Sequence, residues 1–289
     1  MSASDPIVYL NGRYMPASSA SISVDERGML YADGVYEVIR CYAGVPFEMG
    51  LHVKRIRASL EAIRITVPGD FEQIGEVIQA LLEKNDLIEA RVYWQITRGA
   101  APRNPLFPAG VSPTVLVTAT EVPGLSAEAA VPTLSATLMP DERWSNCWIK
   151  SLMLLPNLLA HNTAREAGFD AAILHRDGAV TEATNANALA VIDGELWTHP
   201  ADRWILNGVT RQVLLELTRG LGVRVREERF TTDQLTAADE VVLTGTTLHV
   251  AAVTRIGDAV IGDAAPGPVT KRLHDAFIQR VTKRRLNHS

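Results

Sequence analysis

The chain has 289 residues, 47% hydrophobic and 21% charged, with a formal charge of −5, a profile that fits a globular protein with a sizeable core in one large or two modest domains. No run approaches the ~20 apolar residues of a membrane helix, the opening Met1-Ser2-Ala3-Ser4-Asp5-Pro6 lacks the basic and apolar regions of a secretory signal, and mild net acidity argues against a nucleic-acid binder. Two cysteines, Cys41 and Cys147, cannot make a disulfide framework and point to a reducing cytoplasm.

Ile7–Leu10 and Arg13–Met15 flank Asn11-Gly12, a hairpin signal because both turn residues tolerate positive φ. After a polar loop, Val35–Tyr42 reads as a strand that turns at Ala43-Gly44 into Val45–Phe47. Tyr36, Val38, Arg40 and Tyr42 share one of its faces, so Tyr36 and Arg40 offer a hydroxyl and a guanidinium to an anion, or simply line an edge strand. Val53, Ile56, Leu60 and Ile63 make an apolar stripe that predicts a helix from His52 to Ile65, and Phe71–Asn85 repeats the pattern. A strand follows at Ala90–Arg98. Residues 99–113 carry Pro102, Pro105, Pro108 and Pro113, a density that forbids regular structure. Long loops of this kind are often functional, and this one presents Arg103. Thr114–Thr120 closes the first half, a small α/β domain over 1–120. Residues 121–125 read as a linker, and 126–289 as the larger second domain.

In that second domain a strand is expected over Val131–Leu138. A helix from about Met153 to Ala167 ends at Gly168, placed as a C′ glycine. A hairpin, Ala171–His175 and Ala179–Thr181, delivers Glu182, and a second joins Leu189–Ile192 to Leu196–Thr198. Asn207-Gly208-Val209-Thr210 leads into a helix to about Leu221, whose free N–H groups and positive dipole end make a phosphate seat. Val223–Arg229 and Val241–Leu243 are expected strands, Thr244–Thr247 is a small hydroxyl-bearing turn, and Pro268–Lys283 is the terminal helix.

Lys150 stands at the entrance to an apolar run, Leu152–Leu155. Burial lowers a lysine's proton affinity and frees its amine for Schiff-base chemistry, while a fixed anion such as Glu182 is what holds a pyridine nitrogen protonated in pyridoxal phosphate sites. Taken alone, the two also read as a snorkelling lysine and a turn carboxylate. Two phosphate-friendly turns in the same half shift the balance toward a cofactor.

Asp33-Gly34-Val35-Tyr36-Glu37-Val38, His52–Ile56, Thr97-Arg98-Gly99 with Pro102-Arg103, Ile149-Lys150-Ser151-Leu152, Val180-Thr181-Glu182, Gly208-Val209-Thr210-Arg211 and Thr246-Thr247 occur here in an order and spacing that resembles the fold-type IV, branched-chain-type aminotransferases, D-amino-acid enzymes above all. The resemblance covers nearly the whole chain. It implies an α+β (mixed α/β) two-domain fold whose C-terminal domain has a barrel-like β core, with pyridoxal 5'-phosphate as cofactor. By the same resemblance Lys150 is the Schiff-base lysine and proton carrier, and Glu182 pairs with the ring nitrogen. Arg55, Val209, Thr210 and Thr246 hold the phosphate, and Leu206 packs on the ring. Tyr36 and Arg103 grip the substrate carboxylate, the loop arginine reaching the neighbouring subunit of a homodimer. One departure stands out: the grip's usual histidine position is Pro105, and Arg40 is a candidate replacement.

The expected reaction is ping-pong transamination between a D-amino acid and a 2-oxo acid. The alternatives of the same fold are a branched-chain L-amino-acid enzyme, disfavoured by Leu155 where those carry tyrosine, an (R)-amine transaminase, and an aminodeoxychorismate-type lyase. A non-catalytic relative would not need the Lys150–Glu182 pair. The scattered histidines His52, His161, His175, His199, His249 and His274 show no metal-ligand spacing.

Overall fold

Asn11 and Gly12 adopt φ of 48° and 85°, the left-handed pair that a two-residue hairpin requires, and the first sheet starts there. The computed structural model describes residues 5–126 and 128–286, so the opening tetrapeptide read for a leader, and the outer ends of both expected domains, lie outside the described residues. Contacts divide the chain into two units. One comprises the chain up to Leu125, Ile149–Met153 and the end of the last helix from Arg284. The other comprises Ser126–Trp148 and Leu154–Lys283.

The first unit is a six-stranded antiparallel sheet in the order β2-β1-β6-β5-β3-β4. Its strands are β1 (Ile7–Leu10), β2 (Arg13–Pro16), β3 (Gly34–Tyr42), β4 (Val45–Pro46), β5 (Ala90–Thr97) and β6 (Thr114–Glu121). Alternation gives the sheet two faces. Val35, Ile39, Val92, Trp94, Ile96 and Val117 are buried, packed with the apolar stripes of α2 (Met49–Ala62) and α3 (Ile74–Lys84). Tyr36, Val38, Tyr93, Gln95, Leu116 and Thr118 point the other way and are half-buried. Helix α2 stops at Ala62 rather than at the expected Ile65, because the chain bends through Arg64 at φ 56°. The stretch expected as polar loop contains a short helix, α1 (Arg27–Tyr31), whose N-cap Glu26 accepts from the amides of Gly28 and Met29. The proline-rich segment forms no helix or strand beyond one isolated bridge, Glu26 with Ala100.

The second unit is a nine-stranded sheet in the order β12-β11-β10-β13-β14-β7-β8-β9, with β15 paired to β14. Its strands are β7 (Thr133–Pro140), β8 (Ala171–Arg176), β9 (Ala179–Ala183), β10 (Asn187–Ile192), β11 (Glu195–Thr198), β12 (Val225–Glu227), β13 (Glu240–Gly245), β14 (His249–Ile256) and β15 (Ala259–Val260). The sheet curls until its last strand, β9, comes back beside β10, which is the barrel-like core expected. Its interior is rich in alanine (Ala136, Ala171, Ala183, Ala188 and Ala190), and these small side chains let the curl close on Phe230 and Leu235. Helices α4 (Leu155–Glu166), α5 (Val209–Leu221), α6 (Thr232–Thr236) and α7 (Pro268–Leu286) complete it. Gly168 takes φ 83° just past α4, as its C′ placement requires. The pair β14–β15 and helix α6 have no counterpart in the sequence reading, and the expected strand Val223–Arg229 is ordered only over β12.

Lys150 departs from the expected domain layout. Its segment packs with the first unit, because the Tyr36 amide donates to the Lys150 carbonyl (3.0 Å), the Leu152 amide donates to the Gly34 carbonyl (3.1 Å), and Val35 bridges Ser151. Gly34 makes this possible, since a Cβ there would lie 2.8 Å from the Ile96 carbonyl and 2.9 Å from Leu152 Cδ1.

Candidate active site

In the first unit the backbone pairing just described fixes Lys150 against the start of β3. Its amide donates to Ser59 Oγ of α2 (3.2 Å), and Nζ lies 4.4 Å from the centre of the Tyr36 ring. Among the described residues no carboxylate is paired with Nζ, so the amine rests on an aromatic face. Tyr36 is stacked on Tyr93 at 5.6 Å, and Tyr93 donates to Gln95 Oε1 (2.7 Å). Burial and the neighbouring Tyr36 raise the Tyr93 phenol to about 12, so it stays a neutral donor.

Glu37, on the opposite face of β3, is fully buried and is met by two residues of α2. Arg55 donates through Nε and Nη2 (both 2.7 Å), and His52 Nδ1 lies 2.7 Å away. Burial pushes the Glu37 carboxyl up, but the guanidinium and imidazole outweigh it and hold the carboxyl at about 2. Burial lowers His52, helped by Arg55 and Lys150 and opposed by Glu37. The bidentate fork orients Arg55. Glu37 and His52 were not singled out in the sequence, although a glutamate between inward-facing Val35 and Ile39 breaks the apolar alternation and marks a buried charge.

Arg103 is exposed on the proline-rich loop, its guanidinium carbon 5.5 Å from the Tyr31 ring centre, with no carboxylate partner among the described residues. Arg40 differs. It is buried, donating to the Ala90 carbonyl (3.1 Å), Glu89 (2.7 Å) and the Pro123 carbonyl (2.6 Å), and it lies over Tyr42. A guanidinium so engaged fastens the end of β6 to β3 and β5 and has little left for a substrate, so we withdraw Arg40 as the replacement for the missing histidine. The face-sharing pattern placed it correctly on β3, but only the tertiary contacts reveal its partners.

In the second unit Glu182 is the centre of a dense network. Arg143 Nη1 donates to it, as do Asn187 Nδ2 (2.8 Å) and the Leu206 amide (3.1 and 3.2 Å). Arg143 is held in turn by Asp141 through Nε and Nη2 (both 2.8 Å), and Thr181 donates to Asp141 (2.9 Å). Burial pushes Glu182 above the usual carboxylate range, while Arg143 and the Leu206 amide pull it back. Asn187 also donates to the Leu206 carbonyl (2.8 Å), so Leu206 is placed by both its backbone groups. No role was read for Arg143, Asp141 or Asn187 in the sequence, since the segment of Asp141 and Arg143 and the segment of Glu182 and Asn187 lie about 40 residues apart and meet only through sheet pairing.

Asn187 leads on to the start of α5. A Cβ at Gly208 would lie 2.1 Å from Asn187 Oδ1, so only glycine fits. Gly208 caps α5 with no side-chain hydrogen bond, leaving the amides of Val209 and Thr210 as the orphan donors of a helix N-terminus. Thr246 sits on the turn between β13 and β14, where Gly245 abuts the Asn185 carbonyl. Each unit taken by itself carries donors of the kind a phosphorylated pyridine aldehyde needs: the second has a buried carboxylate suited to a ring nitrogen and uncapped helix amides suited to a phosphate, and the first has an amine with no carboxylate partner among the described residues. Among the described residues there is no cluster able to hold a metal ion and no helix long and apolar enough to cross a membrane.

Comparison with known proteins agrees. The chain is 37% identical over 279 residues to a D-alanine aminotransferase of Listeria monocytogenes, covering 96% of both chains. It is 39% identical over 271 residues to that of Bacillus licheniformis, covering 93% of this chain and 95% of the other. Among solved structures it is similar to the Escherichia coli branched-chain amino acid aminotransferase, with a TM-score of 0.87 and 28% identity over 95% of this chain and 94% of that one. Residues 34–256 match the amino-transferase class IV family, and with fold and relatives in agreement the chain belongs to that family of aminotransferases.

Proposed function

We propose that the protein transfers the amino group of a D-amino acid, such as D-alanine or D-glutamate, to a 2-oxo acid in two half-reactions, using pyridoxal 5'-phosphate. The observation that carries this reading is similarity along 93–96% of the chain to relatives described as D-alanine aminotransferases. When bound, the cofactor supplies a carbonyl that accepts the amino group and a ring that absorbs the charge left by α-proton removal. Lys150 would be the residue that anchors the cofactor, and its Nζ would carry the proton taken from the substrate's α-carbon. Tyr36, against which Nζ rests, limits where that amine can swing. Glu182 holds the ring nitrogen's proton, while Asn187 and Arg143 keep the carboxylate from turning away. Arg55, fixed by Glu37, and the amides and hydroxyls at Val209, Thr210 and Thr246 bind the phosphate. Leu206 covers a ring face. Arg103 and Tyr36 take the substrate carboxylate, for which a guanidinium is better suited than a lysine.

A homodimer in the cytoplasm fits this reading. Leu155, Leu158 and Leu159 are 66%, 54% and 60% exposed on one stretch of α4, an apolar face of the kind that a second copy covers. The reduced state of two buried cysteines suits the compartment. A donor panel tests the reaction. D-Alanine, L-leucine and (R)-1-phenylethylamine are each assayed with 2-oxoglutarate or pyruvate, with D-alanine expected to react fastest. A strong preference for L-leucine would overturn the D-specific reading in favour of the branched-chain one.

A further inference from the structure

The loop that carries Arg103 is tied down by the segment before β3. The Arg27 amide donates to the Gly99 carbonyl (3.0 Å), and the Ala101 amide donates to the Asp25 carbonyl (3.1 Å). Farther along the loop, Arg27 Nη1 donates to the Asn104 carbonyl (2.7 Å), one residue from Pro105. Asp33 sets both arginines of this corner: Arg27 Nε donates to it (2.8 Å), and Arg98 grips it through Nε (2.8 Å) and Nη2 (3.0 Å). Arg98 in turn stacks on Phe107, its guanidinium carbon 3.7 Å from the ring centre. At the base, Gly99 takes φ 103°, and a Cβ there would lie 2.1 Å from the Ser112 carbonyl, so the two ends of the loop close on each other.

Within this frame the Tyr31 ring receives two guanidinium groups, Arg27 at 4.7 Å and Arg103 at 5.5 Å. Arg27 is 2% exposed and committed to Asp33 and Asn104, whereas Arg103 is exposed with no carboxylate partner among the described residues. The Tyr31 hydroxyl is buried without a hydrogen-bond partner, so the ring face, not the oxygen, is what Tyr31 presents to Arg103. Pro105, where the family's grip carries a histidine, has no side-chain donor, and the loop's shape there depends on the capture of its neighbour's carbonyl by Arg27.

We infer that Arg27 and Tyr31 are positioning residues for the carboxylate grip. Arg27 fixes the loop backbone at Asn104, and the Tyr31 ring supplies the flat surface that aims the Arg103 guanidinium, compensating for the absent histidine. The inference rests on the reading of Arg103 as the carboxylate-binding residue. An exposed cation–aromatic contact of this kind accounts for about a two- to five-fold difference in binding.

The test uses the purified holoenzyme and its preferred amino-acid donor, comparing Tyr31→Leu, Tyr31→Phe, Arg27→Lys and Arg103→Ala. Tyr31→Leu is expected to raise KM for the donor about two- to five-fold with kcat little changed and the cofactor's absorption band unchanged. Tyr31→Phe, which keeps the ring, is expected to restore the parental KM. Arg27→Lys, which keeps the charge but loses the fork, is expected to raise KM in the same manner. An unchanged KM in Tyr31→Leu and Arg27→Lys overturns the inference. So does Tyr31→Phe proving as harmful as Tyr31→Leu, or a loss that falls on kcat and the absorption band instead. If Arg103→Ala itself leaves KM unaltered, the grip reading fails and the positioning role falls with it, whereas a raised KM in Arg103→Ala with none in Tyr31→Leu and Arg27→Lys removes the positioning role alone.

Discussion

Two buried carboxylates, Glu37 and Glu182, show how the same side chain is tuned by its surroundings. Glu37 meets a bidentate Arg55 and His52 and sits at about 2, whereas Glu182, with a single contact to one arginine, is left above the ordinary range by burial. Glu182 is thereby a responsive anion, one whose ionisation depends on what else approaches it, and Arg143 is the protein's own contribution to keeping it charged. Removing one partner of a buried ion pair leaves an uncompensated charge and costs roughly 3–5 kcal/mol. Arg143→Met is therefore expected to lower stability by about that amount in urea denaturation and to weaken cofactor binding in a titration of the apoprotein. A variant with unchanged stability and affinity would show that the Asn187 and Leu206 donors suffice.

At the scale of elements, α4 is the least satisfied helix. Its first turn follows Lys150 closely in sequence, and only Ala164 of the helix is buried. Ala164 packs with Ala172 and Leu174, the small cluster beneath the helix. The exposed Leu155, Leu158 and Leu159 make sense if the helix is covered in the assembled protein, since an apolar face of this kind is rare on a monomer. If α4 forms the contact of the proposed dimer, Leu158→Glu is expected to convert that dimer to monomer in sedimentation, because a charge at the centre of an apolar contact is left unpaired on burial. An unaffected dimer would place the interface elsewhere. The first sheet shows the complementary case: β3 is the element on which most candidate residues of the first unit depend, as it carries Tyr36 on one face and Glu37 on the other and receives the Lys150 segment at its start.

For the whole molecule the buried ionisable groups set a pH profile. The Glu37 carboxyl lies below its ordinary 4.5 in the fold, so the stability it contributes is complete above pH 4.5 and is lost as pH falls toward about 2. Asp141 is lowered from 3.8, with burial opposed by Arg143, Thr181 and Arg176, and acts in the same direction. His52 is lowered from 6.5, so the fold prefers its neutral form and loses stability as pH falls below that value. Glu182, raised by burial, has the opposite sign and softens the acid loss. Thermal midpoints are therefore expected to hold level between about pH 6.5 and about pH 8 and to decline below that range, steepening under pH 4.5 as Glu37 and Asp141 take up protons. Midpoints that rise as the pH is lowered from about 6.5 to about 5 would contradict the placement of His52 as a buried neutral imidazole.

The sequence by itself determined most of the local elements and the family, and it named the residues that such chemistry would call for. Hairpin glycines, apolar stripes and proline density are local signals, because turn geometry and periodicity depend on near neighbours. Lys150, Glu182, Arg55 and the Gly208–Thr210 turn were legible because each lies in a short run that keeps its order and spacing. Only the tertiary structure decided which charges brace which. Arg40 reads as a ligand on the strand pattern but is spent on Glu89 and two carbonyls. Glu37, Arg143 and Asn187 read as ordinary polar residues but prove to orient Arg55 and Glu182. The Lys150 segment, placed by chain order with the second half, belongs by hydrogen bonding with β3. The physical reason is common to all of these: a buried charge is stable only beside its partners, and those partners are brought from distant points of the chain by sheet pairing that no local pattern encodes.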